Sequence, residues 1–212
     1  MSPFDRLNEL QALNDDKGLE MMQEAGRFAA LASRHADGTA PRAVVAFNLF
    51  QTPEAVADRM ASLIPTDAHR ILEPSAGLGR LYKAARFGSD AKIQLIENSP
   101  DCCAELFRMT ENDRATNLLQ RDFLEVAAAG TFDAVIMNPP FKMGRDIKHI
   151  MHALKFLKPG GLLISLCYDG SRQNKRLRPL CDRWDVLPSG TFKSEGTGAS
   201  VVLLTIRKDL KR

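Results

Sequence analysis

Apolar positions recur at helical spacing through roughly the first forty residues: Phe4, Leu7, Leu10 and Leu13, then Leu19, Met22, Phe28 and Leu31. This pattern predicts a helical lead-in, punctuated at its end by Asp37-Gly38 and Pro41. An apolar run, residues 43–50, follows it. Beyond that the pattern changes to short apolar runs separated by amphipathic stretches. The runs at 70–73, 93–96, 117–120, 134–137, 162–167, 184–187 and 200–206 predict strands, most of them buried. Between them, helices are predicted after Thr52-Pro53, from the glycine-rich turn to about Phe87, and over 100–112, 146–158 and 171–183.

Strand–helix alternation of this kind predicts an α/β fold, a mostly parallel sheet with helices on both faces. The short loop before 200–206 predicts a final hairpin, and so an antiparallel last strand at a sheet edge. The chain is expected to divide into a helical N-terminal extension, 1–42, and one domain, 43–212.

Composition narrows the setting without naming a partner. With 44% hydrophobic and 26% charged residues, the 212-residue chain has the balance of a soluble globular protein. No apolar run approaches the roughly 18 residues needed to span a membrane. Residues 1–16 are polar and acidic and lack the apolar core of a signal peptide. Cys102, Cys103, Cys167 and Cys181 have no metal-ligand spacing and are expected to be reduced and structural, in a cytoplasmic protein. A net charge of +3 does not by itself demand a polyanion. The bases cluster, however: Arg172, Lys175, Arg176, Arg178 and Arg183 in one segment, and Arg207, Lys208, Lys211 and Arg212 in another. Phosphate contacts are one use for such clusters and solvated helix faces another.

Candidate chemistry lies at strand ends, where open α/β sheets bind ligands. Asn138-Pro139-Pro140-Phe141 follows the apolar run 132–137. Two prolines cannot donate ladder hydrogen bonds, and Pro139 pushes Asn138 out of the helical region, so the strand ends in a stiff shelf. The amide oxygen of Asn138 and the carbonyl of Pro139 are suited to accept both hydrogens of a planar amino group, while Phe141 stacks on the ring bearing it. Upstream, Glu73-Pro74-Ser75-Ala76-Gly77-Leu78-Gly79 joins a strand to a helix, giving glycines for close backbone approach and a helix N-terminus for the ligand. Glu97 ends the next strand, twenty residues beyond Gly77, where an acid holds ribose hydroxyls. Asp122 is expected to accept from an adenine amino group and Phe123 to cover the ring. Thr52 is expected to cap a helix that opens at Pro53. His149 and His152, three apart, are expected on a solvated helix face rather than at a metal.

On these motifs the chain resembles the S-adenosylmethionine-dependent methyltransferases, and within them the amino-methylating group marked by Asn-Pro-Pro-Phe. Phe50-Gln51-Thr52-Pro53 before the glycine loop, together with the phrase from Gly190 to Gly198 before the last strand, is similar to DNA adenine-N6 methyltransferases. The resemblance implies a Rossmann-like class I methyltransferase fold and S-adenosyl-L-methionine as cofactor. It implies cofactor contacts from Phe50 through Pro53, from the loop Glu73 to Gly79, from Glu97 and Asn98, from Asp122 and Phe123, and from Asn138. Asn138, Pro139, Pro140 and Phe141 form the implied catalytic shelf. Phe141, Lys142, Arg145, Arg172, Lys175 and Arg176 are candidate substrate contacts. DNA is the expected acceptor, ahead of RNA. Relatives in that order usually carry a recognition domain after the last strand, so low sequence specificity, or a specificity partner or oligomer, is expected. The alternatives are an amino-methyltransferase of RNA, a protein glutamine methyltransferase and a non-catalytic module of the same fold.

Overall fold

The computed structural model describes residues 51–209. The predicted helical lead-in, the run 43–50 and Phe50 lie outside the described residues, as do Lys211 and Arg212. The elements in order are α1 (Glu54–Ala61), β1 (Arg70–Pro74), α2 (Arg80–Arg86), β2 (Lys92–Glu97), α3 (Pro100–Thr110), β3 (Thr116–Gln120), β4 (Phe132–Met137), α4 (Arg145–Ala153), β5 (Leu157–Tyr168), α5 (Ser171–Arg176), β6 (Arg183–Val186) and β7 (Val201–Arg207).

Seven strands form one sheet in the order β3-β2-β1-β4-β5-β7-β6. The first five are mutually parallel, and β7 runs antiparallel to both β5 and β6. The expected antiparallel last strand is present, but it does not lie at the edge. It is inserted between β5 and β6, which leaves β6 outermost among the described strands. A burial difference explains the placement. Six of the seven residues of β7 are buried, as a central strand requires, whereas no residue of β6 is fully buried.

The period-2 alternation of the strands sorts the core onto two faces. Ile71, Ala134, Ile136, Ile164, Leu166 and Leu203 meet Val56, Ala57 and Met60 of α1, Leu81, Tyr82 and Ala85 of α2, and Leu106 of α3. Their neighbours Leu72, Val135, Met137, Leu163, Val202 and Leu204 meet Ile147, Ile150 and Ala153 of α4, together with Phe156 and Leu177. Asp133 fastens the lower end of β4. Its Oδ2 accepts the N–H groups of His69 and Arg70 at 3.0 and 2.8 Å, and its other oxygen pairs with Lys158.

Two helices are shorter than their sequence periodicity suggests. α4 ends at Ala153 rather than near Lys158, and β5 already begins at Leu157. Phe132 pairs with Leu157 but Ala134 with Leu162, so Pro159-Gly160-Gly161 sits in a bulge within the strand rather than in a loop before it. Gly160 takes φ +78 there and its N–H reaches the carbonyl of Lys208. The basic helix predicted to Arg183 stops at Arg176, and a single 3-10 turn, Arg178–Leu180, follows. Pro179 forbids the helical continuation, having no N–H to give it.

Candidate functional site

A cavity of about 380 Å³ opens at the C-terminal ends of β1, β2 and β4. Its floor is the turn after β1, which is held by β2. The N–H of Ala76 donates to the carbonyl of Ile96 at 3.1 Å, and the N–H of Gly77 donates to Glu97 Oε2 at 2.8 Å. The other Glu97 oxygen accepts from the N–H groups of Asn98 and Ser99, both at 2.9 Å. The acid expected at the ribose hydroxyls is thus, in the structure, the clamp of the glycine loop. Gly77 (φ +55) and Gly79 (φ +74) adopt left-handed conformations. A Cβ on Gly79 would also stand 2.9 Å from Leu106 Cδ2, so close packing of the loop on α3 requires glycine there.

Ser75 has φ +63, a strained choice for a residue with a Cβ that costs on the order of 1–3 kcal/mol. Its hydroxyl lies 3.4 Å from His149 Nδ1. His149 is buried on α4 and lines the cavity, and its Nε2 has no hydrogen-bond partner among the described residues. Burial, with the nearby positive charge of Arg145 adding to it, pushes its pKa down to about 4, against a smaller opposing pull from Asp122. The imidazole is neutral at physiological pH. The expected solvated histidine face is thus corrected. Phe123 stacks between the two histidines, at centroid distances of 5.7 Å to His149 and 4.8 Å to His152, and His152 Nε2 lies 3.0 Å from the carbonyl of Val126. The same packing qualifies Phe123 as a ring cover. The residue borders the cavity, but its side chain is committed to the histidines and Phe156 and is only 3% exposed.

Glu73 is buried, lines the cavity and has an Oε2 with no hydrogen-bond partner among the described residues. Burial, reinforced by the negative charge of Glu97, holds its carboxyl well above the usual range. Asp122 adds a third acid to the lining. Its Oδ1 caps the turn by accepting the Leu124 N–H at 2.9 Å, and its Oδ2 lies 3.6 Å from Arg145 Nη2. A cavity with clustered, partly unneutralised carboxylates favours a cationic ligand, whose charge relieves their repulsion. A sulfonium nucleoside carrying an amino acid meets that requirement, and the glycine loop leaves its backbone open to close approach.

Opposite the acids stands the shelf. Asn138, Pro139, Pro140 and Phe141 all line the cavity. Asn138 Nδ2 donates to Thr52 Oγ1 at 3.1 Å, although 86 residues separate them. Thr52 is therefore not the expected helix cap. α1 begins one residue later, with Pro53 at its N-cap position and no side-chain capping bond, and the buried threonine hydroxyl is turned to the shelf. Gln51 also lines the cavity and accepts from Arg80 Nη2 at 3.1 Å.

Of the candidate substrate contacts, Phe141, Lys142 and Arg145 line the cavity. Arg172, Lys175, Arg176, Pro53, Pro74 and Gly79 are not among its lining residues, although Arg172 Nη1 reaches to 3.7 Å from where a Cβ on Gly144 would stand. Arg80, Arg121, Met143 and His149 line it without having been singled out as contacts. Arg80 occupies the first position of α2 and was legible in the sequence as the residue after the second glycine. Nothing in the sequence marks the other three as lining residues.

A parallel sheet with a nucleotide-type loop after β1, an acid after β2 and an antiparallel β7 defines the class of S-adenosylmethionine-dependent α/β methyltransferases. The particular family follows from the sequence: residues 55–189 match the model of the methyltransferase small domain, and the chain belongs to that family. A curated relative, the rRNA N(6)-adenosine-methyltransferase metl-5 of Caenorhabditis elegans, is 24% identical over 117 residues, covering 50% of this chain and 55% of the relative. The match thus spans about half of the relative's length. Among solved structures, a putative RNA methyltransferase, PH1948, from Pyrococcus horikoshii aligns with TM-score 0.61 at 17% identity, over 76% of this chain and 86% of the other. An RNA methyltransferase from Salinibacter ruber, solved with S-adenosyl-L-homocysteine, aligns with TM-score 0.56 at 20% identity, over 76% and 95%. These two likenesses establish the fold.

Proposed function

We propose that the protein moves a methyl group from S-adenosylmethionine to the exocyclic amino group of adenine in RNA. The observation that carries this reading is the meeting, in one cavity, of the Glu97-clamped glycine loop with the Asn138-Pro139-Pro140-Phe141 shelf. An acceptor in RNA, rather than the DNA expected from the motif order, is supported by the relatives. One is named as an rRNA adenosine methyltransferase, and two structural neighbours are named as RNA methyltransferases, one of them putative.

The bound cofactor supplies an electrophilic methyl group on a sulfonium sulfur. The chain's own residues do the rest. Glu97 takes ribose hydroxyls, Asp122 accepts from the cofactor's adenine amino group, and Glu73 faces its cationic end. Asn138 Oδ1 and the Pro139 carbonyl accept the two N–H bonds of the target amino group. Held this way, the nitrogen keeps its lone pair out of ring conjugation, and fixed acceptors meet the positive charge that grows on it. Phe141 stacks on the target ring in place of the neighbours it has left. Alignment with the methyl group supplies the remaining acceleration. The methylated nitrogen then releases one proton to water.

The test is to incubate the purified protein with labelled S-adenosylmethionine and total RNA or genomic DNA, digest the acceptors and identify modified nucleosides by mass spectrometry. N6-methyladenosine in RNA, absent with Asn138→Ala, is the expected result. Label only in DNA overturns the choice of RNA. Label in neither overturns nucleic-acid methylation altogether.

A further inference from the structure

Directly after the shelf the chain does something costly. Met143 adopts φ +58 and ψ +23, and it is one of only two non-glycine residues with positive φ among the described residues, the other being Ser75. Ser75 directs its hydroxyl at His149. Met143, by contrast, is 84% exposed, so its conformation is not repaid by burial in the core. Strained backbone that holds an apolar side chain out in solvent at the rim of a cavity is a functional signature rather than a folding one.

The surroundings say what the side chain meets. The turn is closed by the Gly144 N–H donating to the Phe141 carbonyl at 3.1 Å, so Met143 is carried at a fixed offset from the ring that stacks on the target base. Lys142 and Arg145 flank it and line the same cavity. Arg172 Nη1 lies 3.7 Å from the site of a Cβ on Gly144. An unbranched apolar side chain on a cavity rim that also carries Lys142 and Arg145, with Arg172 near the next residue, is complementary to a stack of bases bordered by phosphates, and methionine is among the side chains used to part such stacks.

We propose that Met143 is a wedge that fills the gap left in paired RNA when the target adenine is drawn onto the Asn138–Phe141 shelf. The inference rests on the RNA reading above and narrows it: the acceptor adenine lies in a stacked, paired context. Withdrawing a base from such a stack costs free energy, least where the base is already single-stranded. Met143 therefore matters in proportion to the structure of the acceptor. It is a positioning residue, and the methyl-transfer chemistry does not pass through it.

The experiment compares wild type, Met143→Gly and Met143→Leu on two preparations of the same total RNA, one folded in magnesium and one fragmented to short unpaired pieces. Glycine adopts positive φ freely, so Met143→Gly removes the wedge while relieving the strain, and its melting temperature is expected to be no lower than that of wild type. Its kcat/KM on folded RNA is expected to fall at least tenfold, with less than a threefold change on fragments. Met143→Leu, still apolar, is expected to stay within threefold of wild type on both. Equal activity of Met143→Gly and wild type on folded RNA overturns the wedge, as does an equal loss on both preparations. Absence of label from wild type on both preparations overturns the RNA reading instead, so the two failures are distinguishable.

Discussion

Asn138 Nδ2 donates to Thr52 Oγ1 at 3.1 Å, so the amide of the shelf is oriented by a hydroxyl from the segment preceding α1. With its nitrogen given to Thr52, the amide leaves its oxygen for the target amino group. An amide rotated by half a turn would offer N–H groups to an amino group, donor against donor. Thr52→Val keeps the shape and removes the acceptor. We expect kcat to fall by about tenfold, equivalent to roughly 1.4 kcal/mol in the barrier, while the affinity for S-adenosylmethionine changes little. Steady-state kinetics at saturating cofactor measures this, and an unchanged kcat would show that the orientation is set elsewhere.

Glu97 accepts three backbone N–H groups through its two oxygens, from Gly77, Asn98 and Ser99. Glu97→Gln replaces one acceptor with a donor, facing an N–H it can no longer satisfy. The expected loss of stability is about 1–3 kcal/mol, read by urea unfolding. Calorimetric titration is expected to show cofactor affinity at least tenfold weaker, because the loop and the ribose contact are lost together.

Glu73 carries the opposite tension. Burial and the Glu97 charge raise its carboxyl well above the ordinary value. A folded pKa raised above the unfolded one means that the folded protein holds the proton more tightly. Its contribution to stability is full below the unfolded pKa and is lost as pH rises through the folded value. Glu73→Gln keeps the shape of the protonated form. The variant is expected to have a higher melting temperature than wild type near neutral pH, with the gap closing below about pH 4, near the ordinary carboxylate range. It is also expected to bind the cationic cofactor less well. A variant melting at or below wild type at pH 7 would count against a strained acid at this position.

His149 gives a slope of the other sign. Its pKa is lowered to about 4, chiefly by burial, whereas an exposed histidine titrates near 6.5. Between these values the unfolded chain binds a proton that the folded one refuses, so stability falls as pH drops through that window and levels off below it. The full span is about 3 kcal/mol. Measuring urea unfolding at pH 7, 6, 5 and 4 for wild type and His149→Gln tests this. The variant is expected to be less stable than wild type at pH 7 and to have a flatter profile.

The sheet and its binding end were legible because they rest on short-range rules. Apolar runs of β length, a double glycine before a helix and Pro139-Pro140 at the end of β4 each act within a few residues. The parts that escaped are set across the fold. Thr52 reads as a cap until Asn138, 86 residues on, supplies a better use for its hydroxyl. His149 and His152 read as a polar helix face until Phe123, from the turn after β3, fills the space beside them. Helix periodicity ran past Ala153 because Phe156 and Leu157 are as apolar as a helix face requires, yet both are buried beyond the end of α4. The position of β7 was out of reach because a hairpin loop fixes the direction of a strand and not which neighbour it separates.

That insertion imposes an order on the birth of the molecule. Among the described residues β6 is bonded only to β7, and the outer edge of β5 is closed only by β7. On the ribosome, β5 and β6 leave the exit tunnel before the strand that joins them. Until residues 201–207 emerge, β5, with seven consecutive buried positions from Gly161 to Cys167, offers an unpaired and largely apolar margin. Nascent chains in which β5 has emerged and β7 has not are therefore expected to be the aggregation-prone species, with chaperone demand concentrated in that interval.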